Sequence, residues 1–380
     1  MDCASVDALK NIDALVNEEV SRLGNYYSLE ILSYSLFCNN CWNLDVVKAG
    51  VRHNRRKGDE QRFLCNKCGK LFSYGFNTGC HLPLWVIDCV LFYCTLGLRL
   101  RAIPLVVARE GEIRTGRPFF ISVPAVYSII RRTEALLNLF EYDIRYYFVP
   151  FGEVLSEEWQ IDDRYHNWKR LLAREKEVIQ KTFGRDVSLA EEISKSYEQK
   201  LENKVKWAYM YPTCVIETDT CYSLAIYVGR RRDEETALRA LLEAKKRATY
   251  TPTTIKCDGH GPFLKAIPQV LPNTQIISRT KEEDIGIVNA AETFWSIFNL
   301  VVPKRRFREE KTLASVSNIT RHYLNMFRPH EKLGQKTPLE AVGFNLPEYA
   351  RKSWVGLLDF AYRFHKAIEF KKRKVTLSQF

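Results

Sequence analysis

Hydrophobic and polar positions change period several times along the chain, and each change predicts a different element. Up to about residue 35, apolar positions such as Leu9, Ile12, Leu15 and Val16 recur at helical spacing among acidic ones. That predicts one or two amphipathic helices with a face suited to a dimer contact. Residues 84–94 form an apolar helix, which Gly97 breaks, and residues 98–104 resume a helical pattern. Ser122-Val123-Pro124 then supplies an N-cap and an early proline for a further helix carrying Tyr127, Arg131 and Arg132. Strands are predicted over 157–165, 209–216, 222–228 and 253–259, with Asp219-Thr220 turning between the second and third. A helix over 233–246 starts acidic and ends basic, as its dipole prefers, and a later helix holds Ala291, Glu292, Trp295 and Phe298. Residues 171–206 are dense in Glu, Lys, Arg and Gln, which predicts a solvent-exposed helical insertion between two strands.

Three antiparallel strands, a helix, a fourth strand and further helices describe an α/β, ribonuclease-H-like fold. There, acids ending the first and fourth strands lie side by side, and an acid on a later helix reaches the same point. The candidates are Asp162, Asp258 and Glu292, with Asp163 the rival of Asp162. Packed carboxylates repel one another unless a cation intervenes. Hard oxygen ligands of this kind select Mg²⁺ or Mn²⁺. Two such ions about 3.5–4 Å apart would activate a water or a 3′-hydroxyl and stabilise the leaving oxygen.

The cysteines add a second chemistry. Cys38-Asn39-Asn40-Cys41 and Cys65-Asn66-Lys67-Cys68 give two CxxC knuckles, which suit one tetrahedral structural Zn²⁺. Residues 45–48 and 61–64 read as short strands between them, joined by a basic loop with Arg55 and Arg56 that suits phosphate. The other cysteines, among them Cys80, Cys89, Cys94 and Cys257, read as small core residues.

The bulk numbers narrow the partners. The 380 residues are 46% hydrophobic and 27% charged, with a net charge of +12. A basic balance of that kind suits a polyanion. No apolar run reaches the roughly 18 residues of a membrane span, and the acidic start is unlike a signal peptide. The expected setting is therefore intracellular, cytoplasmic or nucleoid-associated, and nuclear in a eukaryotic host. Lys304, Arg305, Arg306 and Arg308 form a basic stripe expected to meet phosphates, and residues 371–374 a basic run near the end. Trp295 either stacks on a frayed base or packs in the core. The expected division is amphipathic helices over 1–36, a zinc ribbon over 37–80 and a helical, helix-turn-helix-like region over 81–150. The catalytic domain follows over 151–345, then a basic helical tail over 346–380.

At these residues the sequence resembles the zinc-ribbon DDE transposases of bacterial and archaeal insertion sequences, from about Cys38 to Phe344. Trp159-Gln160-Ile161-Asp162-Asp163-Arg164-Tyr165 is similar to the family's first-strand motif, which selects Asp162 over Asp163. Lys206-Trp207-Ala208-Tyr209-Met210-Tyr211 looks like its second strand, and residues 258–267, beginning Asp258-Gly259-His260-Gly261, like its second-Asp block. Asn289-Ala290-Ala291-Glu292 resembles the Glu helix. Tyr323-Leu324-Asn325-Met326-Phe327-Arg328-Pro329-His330 and Thr337-Pro338-Leu339-Glu340-Ala341 resemble the C-terminal signature. The resemblance implies a multimeric enzyme that cuts and transfers DNA strands at transposon ends. Two features depart from the family: the insertion between the first two strands, and Trp295-Ser296-Ile297-Phe298 in place of a more basic helix face. The other reading is a non-catalytic DNA-binding regulator that uses the zinc ribbon and helix-turn-helix alone.

Overall fold

The computed structural model describes residues 38, 40–41, 45–54, 58–73, 82–147, 157–164, 210–248, 250–278, 288–302, 307 and 309–378. The amphipathic helices expected before residue 36 and the insertion expected over 171–206 lie outside them. The chain divides into two compact units, Ser156–Arg321 and a discontinuous one made of Met1–Leu155 with His322–Phe380. Residues 322–345, grouped with the catalytic domain on the sequence pattern, therefore fall in the other unit.

In the discontinuous unit, strands β1 (Val46–Asn54), β2 (Gly58–Cys65) and β3 (Leu71–Ser73) form an antiparallel sheet in that order. The register of β1 shifts between Lys48 and Val51, around Gly50 at φ 88°, a conformation in which a side chain would be strained. Three helices follow: α1 (Leu84–Thr95), α2 (Ile103–Thr115) and α3 (Val123–Tyr147). Gly97 and Gly116, both at positive φ, stop the first two. The Ser122 hydroxyl accepts from the Ala125 amide at 3.3 Å, which starts α3 where the Ser-Val-Pro sequence predicts.

Helices α7 (Glu310–Met326), α8 (Pro338–Ala341), α9 (Glu348–Lys352) and α10 (Trp354–Ser378) close the chain, and the division between units falls within α7. A capping box opens α8: Thr337 Oγ1 accepts from the Glu340 amide, and the Glu340 carboxylate from the Thr337 amide. The tail expected over 346–380 contains the long helix α10. This helix packs against α1 and α3 and buries Leu357, Leu358, Phe360, Ala361, Phe364, Ala367 and Ile368. Phe140 of α3, fully buried, meets Phe360 and Phe364 edge-on with ring centres 5.6 and 5.4 Å away. Burying such faces is what holds a long helix. The side chains of the run 371–374 lie outside the described residues.

The second unit is α/β. Its five strands are β4 (Glu158–Asp163), β5 (Tyr211–Glu217), β6 (Ser223–Gly229), β7 (Thr254–Cys257) and β8 (Gln275–Ser278). They lie in the order β6-β5-β4-β7-β8; β4, β5 and β6 are antiparallel neighbours, while β7 runs parallel to both β4 and β8. Helix α4 (Glu234–Ala248) packs on β5 and β6 and against α5 (Gly261–Val270). Helix α6 (Asn289–Val301) packs on β4 and β5. The central strand β4 is buried along most of its length, so Trp159 and Ile161 are fully enclosed. One chain of buried polar groups crosses this core: Trp159 Nε1 donates to the Tyr250 hydroxyl at 2.9 Å, which donates to Glu217 Oε1 at 2.8 Å.

Candidate active site and metal centre

The two CxxC knuckles come together. All four sulfurs of Cys38, Cys41, Cys65 and Cys68 lie within 4.8 Å of one another, with Cys38–Cys68 at 3.5 Å and Cys41–Cys65 at 3.4 Å. Bonds of about 2.3 Å to a tetrahedral zinc imply sulfur separations of about 3.8 Å, close to these values. Gly69, at φ 67°, turns the chain after the second knuckle, and its amide bonds the Cys65 carbonyl at 2.9 Å. Asn40 donates to Cys38 Sγ from its backbone and to Cys68 Sγ from its side chain, at 3.4 and 3.8 Å. The Cys68 thiol is pulled down to about 6, first by the backbone amide of Lys70. A thiol held as thiolate is what a metal ligates. Phe63 and Phe72 pack with Cys38 and Cys65 on the buried side of the site, while Cys68 is exposed. This four-cysteine group can hold a zinc ion.

The carboxylates are placed by strand register. Because β4 and β7 are parallel with Gln160 opposite Lys256, two further residues bring Asp162 beside Asp258, just past the end of β7. Asp162 Oδ1 accepts from the Asp163 amide at 2.8 Å, and Asp258 Oδ1 accepts from the His260 amide at 3.0 Å. Burial, then the charges of Asp258 and Asp163, push the Asp162 carboxyl up to about 7, although the Asp163 amide opposes the shift. The carboxyl groups of Asp162, Asp163 and Asp258 thus interact across a partly dry corner.

Glu292 stands in the first turn of α6 and is exposed. Its helix is fastened to β4, because Gln160 Oε1 accepts from the Ala290 and Ala291 amides at 3.0 and 3.2 Å. Gln160 and Asp162 are two residues apart on one strand, so they share a face. Among the described residues, the four cysteines form the one group of three or more possible ligands gathered this closely. Strand register carries Asp162 toward Asp258, and Glu292 stands at the start of the adjoining helix.

Arg232, between β6 and α4, is not among the site residues expected from sequence. Its Nε donates to both oxygens of Asp163, at 2.8 and 2.7 Å, and Nη2 reaches Asp258 Oδ2 at 3.2 Å. Burial works against the guanidinium charge, but the bond to Asp163 and the charges of Asp163, Asp258 and Asp162 raise its pKa overall. Asp163, the rival of Asp162, is thereby committed to an ion pair. The available signal was three consecutive arginines, Arg230 to Arg232, directly before the helix.

Of the residues expected to meet DNA, Arg131 and Arg132 are exposed on α3. Arg55, Arg56, Lys304, Arg305, Arg306 and Arg308 lie outside the described residues. Trp295 is fully buried against Phe294 and Phe298, which settles its choice between stacking and packing in favour of the core. Among the described residues, no helix is long and apolar enough to cross a membrane.

No family model and no curated protein matches the chain. One similar solved structure is the simian T-cell lymphotropic virus intasome in complex with the PP2A regulatory subunit B56 gamma. The likeness is distant, at 10% identity and a TM-score of 0.31, over 68% of this chain and 75% of that one.

Proposed function

We propose that the chain is a DNA transposase whose ribonuclease-H-like domain cuts and rejoins DNA with Asp162, Asp258 and Glu292. One observation carries this reading: the parallel register of β4 and β7, in the middle of a five-stranded sheet, sets Gln160 opposite Lys256, and two residues on this register carries Asp162 toward Asp258. The order β6-β5-β4-β7-β8, with three antiparallel strands followed by two parallel ones, supports the fold. Docking of α6 on β4 through Gln160 supports Glu292 as the third acid.

Asp162 and Asp258 would hold Mg²⁺ or Mn²⁺, with Glu292 reaching in from the helix start. Bound there, such ions supply a nucleophile at neutral pH and neutralise charge on the leaving oxygen. The residues of the chain do the positioning: Gln160 fixes the helix start, His260 orients one oxygen of Asp258 through its amide, and Arg232 holds Asp163 aside. The four-cysteine ribbon and α3 with Arg131 and Arg132 would grip DNA, in an assembly of at least two copies.

The test is cleavage of DNA carrying the element's terminal repeats, with and without Mg²⁺ or Mn²⁺. Metal-dependent nicking by the wild type, lost in Asp258→Ala while DNA binding persists, is expected. Repeat binding without nicking under any metal would leave a non-catalytic DNA-binding regulator.

A further inference from the structure

Arg232 occupies an oxygen that a metal ion at the carboxylates would need. Its Nε is fixed by both oxygens of Asp163, whose side chain is 4% exposed, so the head group is anchored rather than free. From that anchor Nη2 meets Asp258 Oδ2 at 3.2 Å, the longest of the three bonds. The other Asp258 oxygen is taken by the His260 amide. Asp258 therefore has both oxygens engaged, one by a backbone amide that the turn fixes and one by a displaceable guanidinium. The Arg232 side chain is 34% exposed, which leaves it room to withdraw from Asp258.

We infer that Arg232 is a positioning residue that competes with the divalent ion for Asp258 and is tethered by Asp163 so that it retreats without leaving the site. The inference rests on the proposed metal-dependent reading. Without metal the guanidinium offsets the negative charge of Asp163 and Asp258 and keeps their side chains in place. When Asp258 turns to a metal ion, Nη2 loses its partner while Nε stays on Asp163. The freed edge of the guanidinium then faces a site that handles phosphate, which arginine forks match well. The required metal concentration is set partly by this exchange, so the site fills with metal less readily than its carboxylates alone would dictate.

The experiment measures Mn²⁺ binding to the full chain by calorimetry, with the cysteine site already filled with zinc. The variants are Arg232→Ala, the double variant Asp163→Asn with Arg232→Ala, and Asp258→Asn. Removing a unit charge a few ångströms from the ion should tighten Mn²⁺ binding by on the order of tenfold in Arg232→Ala. The double variant removes both members of the pair, so its net charge at the site is unchanged and no buried Asp163 charge is left bare. It should still bind Mn²⁺ several-fold more tightly than the wild type, because Asp258 Oδ2 is released. Tightening in the single variant alone would trace the effect to the bare Asp163 carboxylate and overturn the inference, as would no tightening in either. Mn²⁺ binding that survives Asp258→Asn unchanged would instead show that the metal reading itself fails at this residue. Far-ultraviolet circular dichroism and retained zinc identify any variant that has lost its fold, and for such a variant Arg232→Gln, which also removes the charge, replaces Arg232→Ala, with several-fold tighter binding again expected and unchanged binding overturning the inference.

Discussion

Gln160 accepts two backbone hydrogen bonds from the start of a helix 130 residues away in sequence, from Ala290 at 3.0 Å and Ala291 at 3.2 Å. The first amides of a helix have no partner within it. Here a buried side chain from the central strand supplies one, and the same strand carries Asp162 two residues on. The contact links the position of Glu292 to that of Asp162.

Gln160→Leu should therefore destabilise the α/β unit by about 1–3 kcal/mol, the usual penalty for stranding buried donors. Denaturant unfolding checks the stability. Cleavage should fall further than the loss of folded protein accounts for, because the helix bearing Glu292 loses its anchor. Unchanged stability would mean that the helix start finds other partners.

Asp162 gives a pH signature. Its carboxyl titrates at about 7 in the folded chain against an ordinary 3.8. The folded state thus binds the proton more tightly than the unfolded state. The stabilisation is complete below the ordinary value and is lost as pH rises through about 7. Without divalent metal, wild-type stability relative to Asp162→Asn should fall by about 2–4 kcal/mol between pH 4 and 8. Unfolding curves at stepped pH measure the difference, and a constant difference across that range would contradict the burial of this carboxyl.

The cysteine cluster predicts a metal-dependent ribbon. Cys65→Ser should lower bound zinc from about one equivalent to a small fraction, because a four-thiolate site loses most of its affinity with one ligand. Metal analysis after dialysis reads the loss. Amide exchange within β1, β2 and β3 should rise at the same time, since the aromatic packing of Phe63 and Phe72 is slight without the metal.

Arg131 and Arg132 are exposed on α3 and should act through phosphate. Replacing either with alanine should weaken DNA binding by a similar factor for any sequence and reduce the slope of log affinity against log salt by about one. Fluorescence anisotropy at several salt concentrations provides the slope. A change confined to one sequence would instead indicate base reading by this helix.

Local pattern made much of the α/β unit legible. Short apolar runs ending in acids, with the Asp219-Thr220 turn, marked β4, β5, β6 and β7, and the charge gradient of α4 marked its ends. The four residues of β8, Gln275 to Ser278, were too short to stand out from the turn before them. The four-cysteine cluster was legible because knuckle spacing is itself the chemistry. Arg232 was not, since an ion pair spanning 69 residues follows from sheet order rather than from neighbours in sequence. The role of α10 was hidden for a related reason: its basic end suggested a tail, while the apolar stripe from Leu357 to Ile368 finds its partners in α1 and α3, far earlier in the chain.

Anomalous diffraction from crystals of the full chain grown with Mn²⁺ tests the central claim most directly. A manganese peak within bonding distance of carboxylate oxygens of both Asp162 and Asp258 is expected, with Glu292 turned toward it and Arg232 withdrawn from Asp258 but still on Asp163. Manganese absent from these carboxylates at millimolar metal, with Arg232 still bonded to Asp258, would contradict it.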